Sequence, residues 1–442
     1  MPIPSHSKDT VDLIAAGGST GEQMYSYVSE MFPICRSITG NGVRETLKII
    51  QGLLPVQVHE VPSGTKVFDW EVPKEWNIKS AYIKNSNGKK VLDFANCNLH
   101  VLNYSVPVHK KVSLQELQSH LFYLQDHPDW IPYRTSYYKE DWGFCMSYNQ
   151  FLTLEDDTYE VFIDSTLSPG HLSYGEYYIR GETSDEVLIS AHICHPSLAN
   201  DNLSGISVST FLAKHLREKK RRYSYRFLFI PGTIGAITWL ALNEATAGSI
   251  KHGLVLSLLG DAGNFTYKKS RQDTSEIDRI AEYVLKSRNS ANKIIEFIPY
   301  GYDERQFCSP GFNMAVGCLS RTTYGQYIQY HTSADNLSFI TPTQLEGSLQ
   351  ATIEIVETLE ANQKYLNLNP KCEPQLGKRG LYNLKGGNNE AKEFQMALLW
   401  TLNLSDGKHS TLDIAKRSGI QFRFIVEAVN GLLDCKLLQE AK

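Results

Sequence analysis

The chain has 442 residues, of which 42% are hydrophobic and 21% are charged, and its formal net charge is -4. Such a composition is ordinary for a globular protein, and so small a charge gives no reason to expect a nucleic acid or a membrane surface as partner. No apolar run approaches the roughly 20 residues that cross a bilayer, and the first residues lack the pattern of a secretory signal. The eight scattered cysteines form no CxxC pair, which predicts reduced thiols and a cytoplasmic location.

The N-terminal part of the chain predicts two helices followed by a small β-rich unit. Apolar residues recur every three to four positions over residues 22–32 and 42–54, which is typical of helices. From 56 to 165, short strand-like runs such as 80–84 and 90–94 alternate with turn signals, and aromatic residues cluster. We expect this segment to be a β-rich domain inserted near the start of a larger domain.

An α/β pattern begins near residue 171. The predicted elements are strands at 174–180, 186–192, 222–231 and 253–259, and helices at 204–218, 235–246, 273–287 and 343–359. Strands that alternate with helices of this length need crossover connections, so we expect a mostly parallel mixed sheet flanked by helices. Residues 1–55 and 166–365 together predict this α/β domain.

The C-terminal part of the chain predicts a separate helical domain. Residues 366–390 carry Pro, Gly and Asn without periodicity, which favours a linker, and 391–442 have a compact helical pattern that resembles a winged helix-turn-helix. Its predicted helices lie at 394–403, 411–418 and 421–433. The last of these has Arg423 as its one cation, so we do not expect nucleic acid binding. Such a helix more often mediates protein contacts, so a homo-oligomer is a further expectation.

The strongest chemical signal is the segment 190–205, which reads Ser-Ala-His-Ile-Cys-His-Pro-Ser-Leu-Ala-Asn-Asp-Asn-Leu-Ser-Gly. An apolar strand ends at His192, a short loop follows, and Asp201 precedes a helix. Open α/β sheets place their sites at the carboxyl ends of strands, and imidazole with carboxylate suits zinc. Taken alone, the segment is equally compatible with ordinary loop histidines and a helix cap at Asp201.

A second segment, Tyr-His-Thr-Ser-Ala-Asp-Asn at 330–336, places His331 at another strand-to-loop boundary. Residues 192–205 resemble the HxD…GxxDNxSG signature of dinuclear zinc aminopeptidases and their carboxypeptidase and glutaminyl cyclase relatives, and 330–336 resembles their HTxxD motif. The combination is most similar to aminopeptidase-like proteins found beside polysaccharide or natural-product genes. This resemblance covers about residues 20–440 and implies a zinc-peptidase-like α/β fold with an inserted β-rich domain and a C-terminal winged helix.

Carried onto this sequence, the resemblance implies a zinc site with the ligands His192, Asp201 and His331. The remaining aspartate ligand would fall near Ser257 or, with a shift, at Asp261, which we prefer. The peptidases have two glutamates, a general base and a further ligand, where this chain has Gly232 and Thr233. Cys194 stands where they carry an orienting aspartate. Because a glycine cannot take a proton from water, the usual base is missing, and the missing ligand favours one metal ion over two.

Other side chains are candidates to compensate. His195 could be a ligand or an acid/base group, or a structural loop histidine. Asp303 and Glu304 lie in a loop that resembles the peptidases' substrate-contacting region, where Glu304 could polarise water and Asp303 could receive a substrate amine, unless both sit in a solvated turn. Three side chains near the same sheet edge could bind an anionic group of the substrate, or form surface salt bridges: Tyr267, Arg271 and Arg321.

The sequence therefore predicts a zinc-dependent aminopeptidase-like hydrolase that cleaves an amide or peptide-like bond in a small-molecule or short peptide-like substrate. One alternative is a catalytically inactive or repurposed metal-binding member that binds a peptide, a sugar or a protein partner. Another is a transferase or cyclase on the same scaffold. A winged-helix regulator with a sensor domain is the remaining hypothesis.

Overall fold

The computed structural model describes residues 18–381 and 389–441, which divide into two compact units at Thr352. In the larger unit the strands are β1 (Gln57–Pro62), β2 (Lys66–Val67), β3 (Trp70–Glu71), β4 (Glu75–Lys84), β5 (Lys90–Asp93), β6 (Val108–Ser113), β7 (Leu121–Phe122), β8 (Phe144–Cys145), β9 (Thr158–Ser168), β10 (His171–Ile179), β11 (Glu186–His192), β12 (Ser224–Ile230), β13 (Ile250–Leu256), β14 (Thr266–Lys268), β15 (Lys293–Ile295) and β16 (Val316–Ser320). Its helices are α1 (Thr20–Met31), α2 (Asn41–Gln51), α3 (Leu114–Gln118), α4 (Tyr148–Phe151), α5 (Gly205–Leu216), α6 (Ile234–Leu242), α7 (Glu244–Ala247), α8 (Glu276–Arg288) and α9 (Glu304–Phe307), and α10 (Pro342–Ala361) runs across the division.

The larger unit is built on a mixed sheet that has eight strands in the described residues, in the order β1-β10-β12-β11-β13-β16-β14-β15. The four strands β12, β11, β13 and β16 run parallel at its centre, whereas β10 is antiparallel to β12 and β14 to β16. Every position of β11 is buried, as expected of a central strand covered on both faces. Since the carboxyl ends of the parallel strands meet at one edge, the loops after β11, β12, β13 and β16 lie close together.

Local sequence explains where several helices begin. Ser19 and Glu22 form a capping box at the start of α1, and Ser275 accepts the N–H of Asp278 at the start of α8. The apolar face of α5 packs against β11, β12 and β13, which fixes the loop in front of this helix relative to the sheet. The predicted α/β fold with helices flanking the sheet is confirmed.

A second sheet, with strand order β5-β4-β9-β6, lies between β1 and β10 in the sequence. It is antiparallel and has a core of its own, with Phe144, Val161 and Ile163 buried in it. β1 falls inside the segment 56–165 that we predicted as an insertion, but it pairs with β10 in the larger sheet. The other predicted domain limits stay predictions.

The second unit has β17 (Lys364–Asn367), β18 (Asp406–Ser410) and β19 (Leu438–Glu440) in one antiparallel sheet, with helices α11 (Asn389–Leu404), α12 (Thr411–Ser418) and α13 (Phe422–Asp434). A capping box of Ser410 and Asp413 starts α12, and Gly419, at φ 70°, ends it. The predicted linker 366–390 begins within β17, and its residues 382–388 lie outside the described part of the chain. None of the described helices combines the length and the apolar character that crossing a membrane requires.

Candidate metal centre

Two histidines far apart in the sequence approach the same carboxylate. β11 ends at His192, whose Nε2 lies 2.8 Å from Oδ1 of Asp201, and Nε2 of His331 lies 3.0 Å from Oδ2 of that carboxylate. His192 and Asp201 are 2% and 3% exposed, whereas 33% of the His331 side chain reaches solvent. The ligands predicted from the two motifs are thus brought together, with an open side at His331.

The loop that carries Asp201 is held by a second buried carboxylate. Asp335 accepts the backbone N–H of Asn200 at 2.6 Å and that of Asp201 at 3.0 Å, and burial raises the pKa of Asp335 to about 8. The amide of Asn202 donates to the carbonyl of Leu256, at the end of β13, at 3.1 Å. These bonds tie the loop both to the second motif and to the sheet edge. Sequence reasoning missed this anchoring function, although Asp335 lies in the second motif.

Asp201 keeps its negative charge despite its burial. Burial alone would raise the pKa of this carboxyl group, but the neighbouring His195 and hydrogen bonds from His192 and His331 hold it well below its usual range. An anionic carboxylate between imidazoles is a suitable zinc ligand.

His195 lies beside this pair. Among the described residues, His192, His195 and Asp201 form a group of possible metal ligands whose ligand atoms all lie within 4.8 Å of one another. His331 lies outside this group and approaches it through Asp201, at 3.0 Å. His195 is 7% exposed, and burial lowers its pKa to about 3, so its imidazole is neutral. Its Nδ1 lies 3.7 Å from Sγ of Cys194. Arg36 fixes the backbone here by donating from Nε to the His195 carbonyl at 2.7 Å.

The β-rich segment between β6 and β9 supplies a wall of the site. The ring of Tyr133 packs edge-to-face against His195 and His331, with centroid distances of 5.3 and 5.1 Å. Next to it, Pro132 forms a β-bridge with Thr332. The sequence indicated an aromatic cluster in this segment but no link between the cluster and the metal-binding motifs.

These residues fit a zinc ion. Two imidazoles and one carboxylate converge, a third imidazole lies beside them, and nitrogen and oxygen donors of this kind are those that zinc prefers. Three protein donors leave a fourth position open, as in catalytic zinc sites. The ring nitrogen of His192 that faces away from Asp201, Nδ1, is buried and has no hydrogen-bond partner among the described residues.

The prediction that Asp261 is a further ligand needs correction. Its carboxylate accepts the N–H of Gly263 at 2.7 Å, the hydroxyl of Thr322 at 2.7 Å and the amide of Asn200 at 3.1 Å. Because these donors engage both of its oxygens, Asp261 ties together the loops after β13 and β16.

Asp303 and Glu304 are not in a solvated turn, since they are 0% and 1% exposed. Glu304 forms an ion pair with Lys268 and accepts the N–H of Tyr302 at 3.1 Å, so it is poorly placed to take a proton from water, and we correct its predicted catalytic role. Neither oxygen of Asp303 has a hydrogen-bond partner in the described part of the chain, and burial, followed by the charge of Glu304, raises the pKa of Asp303 well above its usual range. Asp303 is therefore held as a neutral acid.

The three side chains predicted to bind an anionic group have other contacts. Tyr267 is 0% exposed, and its hydroxyl donates to Asp278 at 2.9 Å. The guanidinium of Arg321 is buried and donates to one hydroxyl and two backbone carbonyls. Arg271 is exposed and donates to Asn313 at 2.7 Å. Tyr267 and Arg321 have the contacts of buried packing residues, which corrects their predicted role in substrate binding. The predicted role of Arg271 in substrate binding stays a prediction.

An aromatic ring fills the place of the missing carboxylates. A Cβ atom at Gly232 would lie 2.7 Å from the hydroxyl oxygen of Tyr302 and closer still to its ring. The same hydroxyl lies 3.3 Å from Sγ of Cys194, whose pKa is raised to about 12 by burial. The ring of Tyr302 stands 4.0 Å from that of His192. Tyr302 belongs to the same loop as Asp303, but no sequence motif singled it out.

Comparison with known proteins shows what this chain resembles. Residues 25–362 match a model described as a domain of unknown function, DUF4910, and residues 363–440 match a winged helix-turn-helix model. A protein of Clostridium acetobutylicum named as a polysaccharide biosynthesis protein with an aminopeptidase-like domain is 54% identical over 426 residues, which cover 96% of this chain and 98% of that protein. The expected winged helix at the C-terminus is confirmed.

Two solved structures are also similar. One is the crystal structure of a protein described as a peptidase from Clostridium acetobutylicum, whose sequence is 52% identical to this chain. The two structures match with a TM-score of 0.91 over 98% of this chain and 99% of that one. The zinc aminopeptidase BSAP from Bacillus subtilis is 12% identical, with a TM-score of 0.56 over 77% of this chain and 95% of that one. At 12% identity, the similarity to the Bacillus subtilis enzyme concerns the fold alone. It confirms the expected zinc-peptidase-like architecture.

Proposed function

The chain belongs to the family of aminopeptidase-like proteins that carry the DUF4910 domain, and on that basis we propose that it is a zinc-dependent hydrolase that cleaves an amide or peptide-like bond in a small substrate. The observation that carries the proposal is the approach of His192 and His331 to the two oxygens of Asp201, at 2.8 and 3.0 Å. The name of the relative, a polysaccharide biosynthesis protein, supports an amide on a sugar-like compound as the substrate.

His192, Asp201 and His331 are the proposed ligands of one zinc ion. When bound, zinc supplies a Lewis acid and lowers the pKa of a coordinated water toward neutrality. The residues themselves set where a substrate can enter, because 33% of the His331 side chain is exposed while His192 and Asp201 are buried. Tyr133 closes the site on one side and keeps water from that face of the two imidazoles.

His195 is the proposed proton acceptor in place of the absent glutamate. Its ring centroid lies 4.9 Å from that of His192 and 5.2 Å from that of His331, so it borders the space between the two ligands. General bases usually act within hydrogen-bond reach of the water or through one intervening water, and a neutral imidazole beside the ligands has the lone pair that this role needs.

A second candidate function is a non-hydrolytic one, in which the protein binds a peptide, a sugar or a protein partner, or acts as a transferase or cyclase. The contact between Gly232 and Tyr302 favours it, because a ring occupies the place from which a carboxylate would activate water. In that case the metal site persists without the ability to hydrolyse amides.

The deciding experiment is the metal content of protein purified without added metal or chelator, measured by elemental mass spectrometry, followed by a screen of aminoacyl and amino-sugar amides. About one zinc per chain is expected in the wild type and none in His331→Ala. His109→Ala, whose side chain is 68% exposed, is the matched control and should keep the metal. Zinc in the wild type with hydrolysis supports the first function, and zinc without hydrolysis supports the second. Absence of zinc from the wild type would overturn both.

We further propose that the protein is cytoplasmic and acts on its substrate without a nucleic acid or membrane partner. All eight cysteines lie in the described residues and are free, which is what a reducing compartment maintains. Self-association through the winged helix is part of the same proposal.

A further inference from the structure

His192 lacks the second contact that usually orients a metal-binding histidine. Such a residue as a rule donates its other ring N–H to a carboxylate, a carbonyl or water, and this contact fixes the tautomer and the direction of the ring. Nδ1 of His192 is buried and has no partner among the described residues. No protein group among the described residues therefore orients the imidazole through Nδ1.

The ring of Tyr302 packs on this imidazole more closely than the ring of His195, whose centroid is 4.9 Å away. The centroids of the Tyr302 and His192 rings are 4.0 Å apart, with an angle of 43° between the planes. The hydroxyl of Tyr302 lies 3.3 Å from Sγ of Cys194 and 3.4 Å from the carbonyl oxygen of Gly232, so the hydroxyl end of the ring is constrained.

The backbone under Tyr302 is held as well. Its N–H donates to the carboxylate of Glu304 at 3.1 Å, and Glu304 forms a buried ion pair with Lys268. Lys268 also donates to the carbonyl of Tyr300 at 2.8 Å. The loop that presents the ring is thus fastened to β14 by charged groups that are almost fully buried.

Gly232 completes the arrangement, because any side chain at this position would take the space of the Tyr302 ring. The glycine and the tyrosine are therefore one structural unit. A chain that kept a side chain at 232 would have to move the ring away from His192.

We propose that Tyr302 is a positioning residue of the metal site, whose ring holds the imidazole of His192 toward Asp201 in place of a hydrogen bond at Nδ1. The inference rests on the metal site of the proposed function. It assigns the effect to the ring and not to the hydroxyl, and it is independent of whether the protein hydrolyses any substrate.

The test measures zinc affinity by competition with a chromophoric chelator, together with the visible absorption spectrum of the cobalt-substituted protein. Tyr302→Leu removes the ring and should weaken zinc binding about 10- to 100-fold, the usual effect of losing an orienting contact. The cobalt spectrum should change with it, because it reports the coordination geometry. Tyr302→Phe keeps the ring and should bind zinc within about threefold of the wild type, well short of the effect of a lost orienting contact.

Tyr300→Leu is the matched control, since Tyr300 lies on the same loop and is 64% exposed. It should leave both readouts unchanged. If Tyr302→Leu fails to fold, as judged by circular dichroism, Tyr302→Met offers an apolar side chain of greater flexibility with the same expectation. Wild-type affinity and an unchanged cobalt spectrum in the ring-less variant would overturn the inference and leave the proposed function intact. A wild type without zinc affinity would instead sink the proposed function.

Discussion

The backbone N–H of Tyr133 donates to the carbonyl of His331 at 2.7 Å, which joins the β-rich segment to a residue of the metal site. The N–H of Ser333 donates in turn to the carbonyl of Ile131 at 2.8 Å. His331 has φ 55°. This lies in the left-handed region, which residues other than glycine adopt only in a small share of cases. Such a backbone conformation persists where the surroundings fix it, and here the paired segment does so.

Replacing Tyr133 with alanine should speed the loss of zinc to a chelator. The variant keeps the backbone pairing but removes the ring that covers His195 and His331, so water and chelator reach the ligands. We expect zinc release in excess EDTA to be about tenfold faster, the lower end of the effect of losing a supporting contact. Tyr138→Ala, at a residue that is 54% exposed on the same segment, should release zinc at the wild-type rate. Equal rates for all three proteins would refute the idea that Tyr133 shields the site.

Asp335→Asn should weaken zinc binding without removing a ligand. Asp335 accepts two backbone N–H groups, those of Asn200 and Asp201, and the substituted amide has only one oxygen to offer. The loss of one bond to the ligand loop should lower zinc affinity about 10-fold and also lower the thermal unfolding midpoint. A chelator competition titration measures the first effect, and calorimetry the second. The exposed Asp126→Asn should change neither, and a wild-type affinity in Asp335→Asn would show that the loop is held by other means.

The sequence predicted those parts of the molecule that depend on neighbours in the chain. β11 begins and ends where the apolar run 186–192 does, because a fully buried strand has a distinct composition. His192, Asp201 and His331 could be predicted because each stands in a motif at a strand end. The prediction of Asp261 failed because its place after β13 says nothing of the donors that occupy its carboxylate.

Contacts between distant segments could not be predicted in this way. The ring of Tyr302 meets Gly232 only because the fold brings two loops to one sheet edge, and no local pattern records that. The ion pair between Lys268 and Glu304 is of the same kind. β1 was assigned to the insertion by its texture, yet its partner strand β10 lies more than a hundred residues later.

His252 should make the protein less stable in mild acid. Burial, followed by the charge of Arg222, lowers the pKa of His252 to about 4. Nδ1 of His252 has no hydrogen-bond partner within the described ranges. Because the folded-state pKa is below the unfolded value of about 6.5, the folded form is favoured above that pH and loses this advantage as pH falls toward 4. Between pH 7 and 4.5 the unfolding midpoint of metal-free wild type should therefore fall about 2–4 °C more than that of His252→Gln.

The measurement is a thermal scan by circular dichroism at a series of pH values. His109→Gln, at an exposed histidine, should follow the wild type throughout. Parallel pH curves for the wild type and His252→Gln would contradict the prediction. They would show that protonation of His252 does not favour the unfolded state.

The winged helix should not bind duplex DNA. Arg423 is the one cation of α13, and it donates to Gln421 at 3.0 Å and lies 3.4 Å from Glu390. Nucleic acid binding relies on cations that release counterions from phosphate, so fluorescence anisotropy with a mixed-sequence duplex should show no salt-dependent association. Binding that weakens steeply with salt and is lost in Arg423→Glu would contradict this expectation.

Restoring a carboxylate at position 232 should succeed only when Tyr302 is removed. Gly232→Ala alone forces a methyl group against the ring, and such overpacking should cost about 1–3 kcal/mol and lower the unfolding midpoint. Gly311→Ala is the control, since no heavy atom lies within 4 Å of a Cβ there. In a Tyr302→Ala background, Gly232→Ala should lower the free energy of unfolding by much less than it does alone. The reason is that the effects of substitutions at two contacting residues are not additive.

The variant Gly232→Glu should also be less stable than the wild type and gain no activity, because its side chain meets the Tyr302 ring. With Tyr302→Ala, and at saturating zinc to offset weaker metal binding, the new glutamate has room to face the site. Hydrolysis of aminoacyl amides should then rise by about a hundredfold, the lower range of what a general base contributes. If Gly232→Glu alone is as stable as the wild type, the ring does not block this position, and the pairing of Gly232 with Tyr302 cannot explain why the carboxylate is absent.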